Sequence, residues 1–245
     1  MTSKEEALHT LLGHRHIRLI QRPDMLCFSL DSILVADFAN PGKSVQKIVD
    51  LGTGFAPIPL FLTTKTKTAH ITGIELQKDA ADIAKRNVAL NRFERQISIV
   101  HDDLKNANRH IEADSVDLVT CNPPFFKVDE DTPLKESPHQ AYAKHELGAT
   151  FKDIASLSAR ILHPKGRFVF IHRIERLEEI LNTLKRHRFS VKRMRFIHPR
   201  EHKEASLFLC EAMLDGAWGM RVLPPLIVHN GSNYSDEVLK IFNRK

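Results

Sequence analysis

KIVDLGTGFAP (47–57) and HITGIEL (70–76) decide how this 245-residue chain is read. Ile48, Val49 and Leu51 form a short apolar run, as in a strand buried on both faces, and the run ends in the turn Gly52-Thr53-Gly54. A helix is expected from Pro57. Pro57 and Pro59 suit a first turn, where backbone N–H groups lack intrahelical partners. Glu75 ends the next strand, 21 residues after Gly54. Glycines at a strand end let the backbone turn tightly and approach a ligand, and a carboxylate at the next strand end can accept from a ribose diol. The dinucleotide pattern G-x-G-x-x-G fails, because Pro57 holds its last glycine position. A ligand with ribose but no pyrophosphate fits better, and S-adenosylmethionine is one.

The same alternation extends outward. Residues 3–12 read as a short helix, 16–28 as two short strands around Pro23-Asp24, and SILVADFA as a helix capped by Ser29 or Asp31. KDAADIAKRNVALN (78–91) places Ala80, Ile83, Ala84 and Val88 near one helix face. Strands are expected at 96–102 and 115–122, a helix at 151–162, and a strand at 167–172 after the turn Pro164-Lys165-Gly166. Ile174, Leu177, Leu181 and Leu184 recur at helical spacing, and two further strands follow near 190–198 and 205–213. The C-terminal tail reads as short, with a last amphipathic turn or two. Strands alternating with helices call for an α/β fold: a mostly parallel sheet of seven strands with helices on both faces. The last two strands lack an intervening helix, so that pair is expected to be antiparallel. No linker divides the chain. It is read as one domain, 1–245, with an N-terminal cap segment (1–42) and a core (43–245) carrying a polar lid loop (125–148).

Asn122-Pro123-Pro124-Phe125 ends the fourth strand of the core, where ligands of open α/β sheets bind. These residue types suit one task. An exocyclic amine conjugated to a base or an amide is a poor nucleophile, because its lone pair is delocalised. The Asn122 side-chain carbonyl and the Pro123 backbone carbonyl can both accept from such an NH₂ group and aim its lone pair at a methyl donor. The prolines fix the backbone, and Phe125 offers a stacking surface for a flat target. Asp102 and Asp103 follow the third strand; Asp103 is the preferred acceptor for the cofactor's adenine amino group. A carboxylate capping nearby N–H groups is the competing account.

The chain carries 36 Lys and Arg against 30 Asp and Glu, a net charge of +6. The excess is concentrated. Residues 181–203 hold Lys185, Arg186, Arg188, Lys192, Arg193, Arg195, Arg200 and Lys203 against Glu201 alone. Such a cluster suits a phosphate backbone, although a solvated helix end and an exposed edge strand also favour Lys and Arg. Arg193 and Arg195 are expected on one strand face, with Met194 and Phe196 on the other. Lys127 is a further candidate phosphate contact. His14/His16 and His198/His202 lack a carboxylate or Cys at ligand spacing, so no metal site is expected. Three cysteines, Cys27, Cys121 and Cys210, make no disulfide framework and point to a reducing, cytoplasmic setting. No membrane span or secretory segment is read, and a monomer is expected.

Taken together, LIQRPDMLCFSLDSILVADF, IVDLGTGFAPIPL, VTCNPPFF, RFIHPREHKEASLFLCEA and LPPLIVHNGSNYSDEVLKIF resemble the class I, Rossmann-like S-adenosylmethionine-dependent methyltransferases of the small-domain group. Within it the sequence is most similar to bacterial tRNA1(Val) adenine-37 N6-methyltransferases. The resemblance implies a cofactor site lined by Asp50, Gly52, Thr53, Gly54, Glu75, Asp103 and Asn122, with Phe28, Ser29 and Asp31 closing over the methionine end. It implies that Asn122, Pro123, Pro124 and Phe125 hold the target adenine, and that the partner is the anticodon arm of a tRNA. The N-P-P-F motif is shared with glutamine N5-methyltransferases acting on proteins, which are the alternative, as are other rRNA or tRNA base-amine methyltransferases. One departure is Ala56, where the family usually has glycine; it is expected to narrow the methionine pocket.

Overall fold

The computed structural model describes residues 6–12, 14–25, 29–125 and 149–242. The expected second strand near 26–28, Phe28, Lys127 and all of the lid loop beyond Phe125 lie outside the described residues.

Two N-terminal strands, β1 (Ala7–Leu11) and β2 (His14–Gln21), form an antiparallel ribbon. The expected helix over 3–12 is therefore corrected to a strand. Pairing with β2 and burial of Leu11 override the local helical preference. Helix α1 (Leu30–Ala39) follows, with Ser29 at its N-cap, though the Ser29 side chain makes no capping bond. The core then alternates as expected: β3 (Lys47–Leu51), α2 (Pro57–Leu62), β4 (His70–Glu75), α3 (Lys78–Leu90), β5 (Ile97–His101) and β6 (Val116–Cys121). Beyond residue 148 come α4 (Phe151–Ile161), β7 (Leu162–Arg173), α5 (Leu177–Arg186), β8 (Phe189–Arg200) and β9 (Leu207–Leu214). The expected turn at 164–166 is a kink inside β7, with Lys165 at φ 69° and a register shift opposite Val116/Leu118.

Through these strands the main sheet runs β8-β9-β7-β6-β3-β4-β5. Its central pairs are parallel, and β9 is antiparallel to both β7 and β8, as expected of the last strand. The count differs from the expected seven. The C-terminal tail adds β10 (Arg221–Val222), β11 (Leu226–Asn230) and β12 (Asn233–Tyr234) at the β8 edge, then helix α6 (Asp236–Ile241). These short strands cover an edge that would otherwise expose unpaired backbone.

Side chains alternate across the sheet, so helices pack on both faces. Ile48, Leu118, Val169 and Ile171 meet α1 and α2 on one side. Val49, Val119, Phe168 and Phe170 meet α4 and α5 on the other. The N-terminal ribbon is held to α3 by two side-chain amides. Asn87 accepts from the Ile20 N–H at 2.6 Å and donates to its carbonyl at 3.1 Å; Asn91 does the same for Arg18 at 2.8 and 2.7 Å. Four helical residues rise about as far as two strand residues, ~6 Å, so the helix offers amides in step with the strand.

Candidate active site

The carboxyl ends of β3, β4 and β6 open onto a cavity of about 340 Å³, a volume in the range of small-molecule sites. The glycine turn forms its floor. Gly52 and Gly54 sit at φ 68° and 56°, and nothing lies within 4 Å of where a Cβ would stand, so the turn leaves open backbone facing a ligand. Glu75 fixes the turn: its Oε2 accepts from the Gly54 N–H and its Oε1 from the Gln77 N–H, each at 2.8 Å. Burial pushes the Glu75 carboxyl up, against these bonds, which favour the charged form. Gly73 lies beneath Thr53; a Cβ there would meet the Thr53 side chain at 2.8 Å.

The second wall is Asn122-Pro123-Pro124-Phe125. Asn122 Nδ2 donates to Ser32 Oγ at 3.2 Å, while Oδ1 is shielded from water and has no partner among the described residues. A buried acceptor without a donor is costly unless a bound group completes it. The Phe125 ring lies 5.4 Å from the His172 ring, tilted by 56°. His172 is fully buried. Its Nδ1 accepts from the Arg173 N–H at 2.8 Å, and burial lowers its pKa to about 3, so the ring is a neutral support.

Ser29, Asp31, Gly52, Thr53, Gly54, Glu75 and Asp103 share this cavity with the N-P-P-F residues. Burial raises the Asp31 carboxyl, with the Ser29 hydrogen bond opposing. Asp103 lines the cavity, and its Oδ1 accepts from the Lys105 N–H at 2.9 Å, the capping bond of the competing account. Asp102 does not line it; Asn106 and His110 hold that carboxylate, and their hydrogen bonds keep it low. Asp50 corrects the expectation. It lies under the turn rather than in the lining, only 1% exposed, with Oδ1 accepting from Thr120 Oγ1 at 2.7 Å and the Thr53 hydroxyl as a second neighbour that favours its charged form. Ala56 corrects another: it is absent from the lining and does not narrow the pocket. Its φ of 65° explains why glycine suits the position. Ser32, Gly73 and His172 were missed by the sequence reading, because only tertiary contacts give them a role.

The basic segment divides in two. Arg193 and Arg195 share a strand face as expected, but that face is covered. Arg193 bonds Glu211 at 2.7 Å and the Phe38 carbonyl at 3.0 Å, and stacks on the Phe38 ring; Arg195 bonds Glu237 at 2.7 Å. Arg167 joins Arg193 on Glu211 and reaches the carbonyls of Ala39 and Pro41, so two guanidiniums close the C-terminal end of α1. The structure thus gives Arg193 and Arg195 an internal task in place of the RNA contact expected of them. Arg188 pairs with Asp215, and Lys192 donates to the Ala217 carbonyl at 2.9 Å. Lys185, Arg186, Arg200 and Lys203 are exposed.

Residues 31–193 match the family described as methyltransferase small domain. The chain belongs to that family. Curated relatives include a tRNA1(Val) (adenine(37)-N6)-methyltransferase of Aliivibrio salmonicida, 24% identical, the match covering 87% of each chain. A Porphyromonas gingivalis protein of the same name is 28% identical over 74% of this chain and 72% of its own. Among solved structures, an Agrobacterium tumefaciens chain described as a "predicted O-methyltransferase" superposes with a TM-score of 0.70 at 21% identity, covering 87% of this chain and 95% of its own. Among the described residues no helix is long and apolar enough to cross a membrane, and no cluster of three or more metal-ligating side chains occurs.

Proposed function

We propose that this methyltransferase uses S-adenosylmethionine to methylate the exocyclic N6 amine of an adenine in tRNA, with adenine-37 of tRNA1(Val) as the specific target. The observation that carries the reading is the single cavity shared by the glycine turn, Glu75 and Asn122-Pro123-Pro124-Phe125. The names of the curated relatives support the choice of nucleotide.

When bound, S-adenosylmethionine supplies a sulfonium methyl for an in-line displacement. The open backbone at Gly52 and Gly54 would lie against the cofactor, Glu75 would accept from its ribose hydroxyls and Asp103 from its adenine amino group. Asn122 Oδ1, buried and without a donor, and the Pro123 carbonyl accept the two N–H bonds of the target amine. That grip turns the nitrogen lone pair out of conjugation, and Phe125 stacks on the base. No protein nucleophile takes part; positioning supplies the acceleration. The amine proton becomes acidic once the nitrogen carries the methyl group. Arg200 and Lys203, exposed at the β8–β9 tip on the same end of the sheet as the cavity, receive backbone phosphates of the anticodon arm.

The test is nucleoside mass mapping of tRNA from a deletion strain, paired with labelled donor on intact and RNase-treated RNA. Loss of one N6-methyladenosine, and label that vanishes with RNase, are the expected results. Label carried by protein instead would identify a glutamine-amide methyltransferase.

A further inference from the structure

The chain's single tryptophan is its most conspicuous unburied apolar side chain. Trp218 is 92% exposed, in the segment between β9 and β10, with Met220 at 51% and Val222 at 55% beside it in the chain. The segment is not loosely attached. Ser190 Oγ donates to the Gly216 carbonyl at 2.7 Å, Lys192 Nζ to the Ala217 carbonyl at 2.9 Å, and the Leu223 N–H to the Met194 carbonyl at 2.8 Å. Both ends are stitched to β8, so the indole is held out in water at a fixed place. A large ring kept there loses hydrophobic stabilisation that a partner would restore.

The surroundings define that partner. Arg221, next to Met220 and Val222, is exposed and makes no side-chain hydrogen bond among the described residues. Lys192 anchors the loop through the Ala217 carbonyl, and Lys185 and Arg186 are exposed at the end of α5 that leads into the start of β8. The acid nearest along the chain, Asp215, is paired with Arg188, and Glu211, opposite Arg193 in the sheet, is paired with Arg193 and Arg167. One indole with two smaller apolar neighbours falls well short of the roughly 800 Å² per partner that a stable protein interface buries, but it matches the face of one base. An aromatic platform flanked by unpaired cations is the chemistry of single-stranded nucleic acid recognition.

We propose that residues 215–222 form a second RNA contact, in which Trp218 stacks on an unpaired base while Arg221 and Lys192 meet the flanking phosphates. This rests on the reading of RNA as substrate. The loop adjoins the start of β8, whereas the cavity lies at the carboxyl end of the parallel strands. Three strand spacings across and five residues along separate them by on the order of 20 Å. The contact therefore anchors RNA away from the reacting base.

The single tryptophan makes the test direct. Full-length protein is titrated with unfractionated bacterial tRNA while indole fluorescence is followed, and binding and methyl transfer are measured separately for Trp218→Ala, Trp218→Phe and Arg221→Glu. Expected are quenching that saturates with binding, a roughly tenfold rise in Kd and KM for tRNA in Trp218→Ala, an unchanged kcat at saturating tRNA, and substantial recovery in Trp218→Phe. Wild-type protein that binds and methylates tRNA without quenching, or Trp218→Ala that binds as tightly as wild type, overturns this contact and leaves the proposed function standing. A sedimentation shift in Trp218→Ala with unchanged tRNA affinity assigns the patch to self-association and also overturns it. Failure of wild type to bind or methylate any tRNA removes both.

Discussion

The side-chain amide of Asn122, at the edge of β6, donates to the hydroxyl of Ser32 in α1 across 3.2 Å. This bond fixes which end of the amide is left to accept. It makes α1 a part of the cavity wall, although α1 contributes none of the N-P-P-F residues. Asn122→Ala is expected to lower kcat by at least a hundredfold while calorimetry shows cofactor binding retained, because the loss falls on groups that act in the transition state. Ser32→Ala is expected to lower kcat by about tenfold, since the amide keeps its acceptor but loses its orientation. Normal turnover in Asn122→Ala would refute the role given to the amide.

Asp50 gives the fold a pH dependence of defined sign. Burial pushes its carboxyl up to about 7, with the Glu75 charge adding to the rise. The unfolded chain releases that proton near the ordinary carboxylate value of about 4. Between these values the folded state holds a proton that the unfolded state does not. The stability from this group is therefore complete below about pH 4, declines as pH rises toward 7, and is flat above. Asp50→Asn keeps an acceptor for Thr120 but does not titrate. Thermal unfolding from pH 4 to 8 is expected to show the variant gaining on wild type up to about pH 7 and then running parallel. Parallel curves throughout would show that Asp50 does not titrate in this way.

The two halves of the basic segment predict opposite phenotypes. Arg193→Glu sets a like charge against Glu211, whose side chain is only 8% exposed. A loss of about 3–5 kcal/mol is expected, lowering Tm by roughly 10 °C. Arg200→Glu with Lys203→Glu touches only solvent-facing groups, so Tm is expected to hold. Its tRNA affinity should fall, and the log–log salt slope should flatten by about one per lost phosphate contact. A salt slope identical to wild type would remove these residues from the interface.

Ala56 stands in the left-handed region at φ 65°, capping the start of α2. A Cβ there costs about 1 kcal/mol. Part of this is offset because glycine has more freedom to lose on folding. Ala56→Gly is expected to raise Tm by about 2 °C, with cofactor affinity unchanged because the residue lies outside the cavity. A marked change in affinity would place the residue in the site.

Buried parallel strands were easy to see in the sequence because most of their side chains are apolar: Ile48, Val49 and Leu51 mark KIVDL in spite of Asp50, and Val116, Leu118 and Val119 mark VDLVTC in spite of Asp117 and Thr120. Glu75 stood out by its place at the end of the strand after the glycine turn, and Asn122 by the N-P-P-F residue types at a strand end. Contacts between distant segments were harder to see. ALHTL carries no alternation that separates strand from helix, and its state is set by β2 and by asparagines 67 to 73 residues away from that strand's paired groups. Charge density in 181–203 showed where cations gather, but not that Glu211 and the end of α1 cover the Arg193 side of β8. Alternation along RMRF assigned the faces correctly; burial of the charged one was decided elsewhere in the chain.

The amides of Asn87 and Asn91 grip peptide groups of β2, not its side chains. Docking of the N-terminal ribbon is consequently indifferent to what residue 18 presents to water. The exposed positions of β2 are thus uncoupled from its attachment, which the two asparagines share with the buried Ile17 and Leu19 and with the Arg86–Glu6 pair.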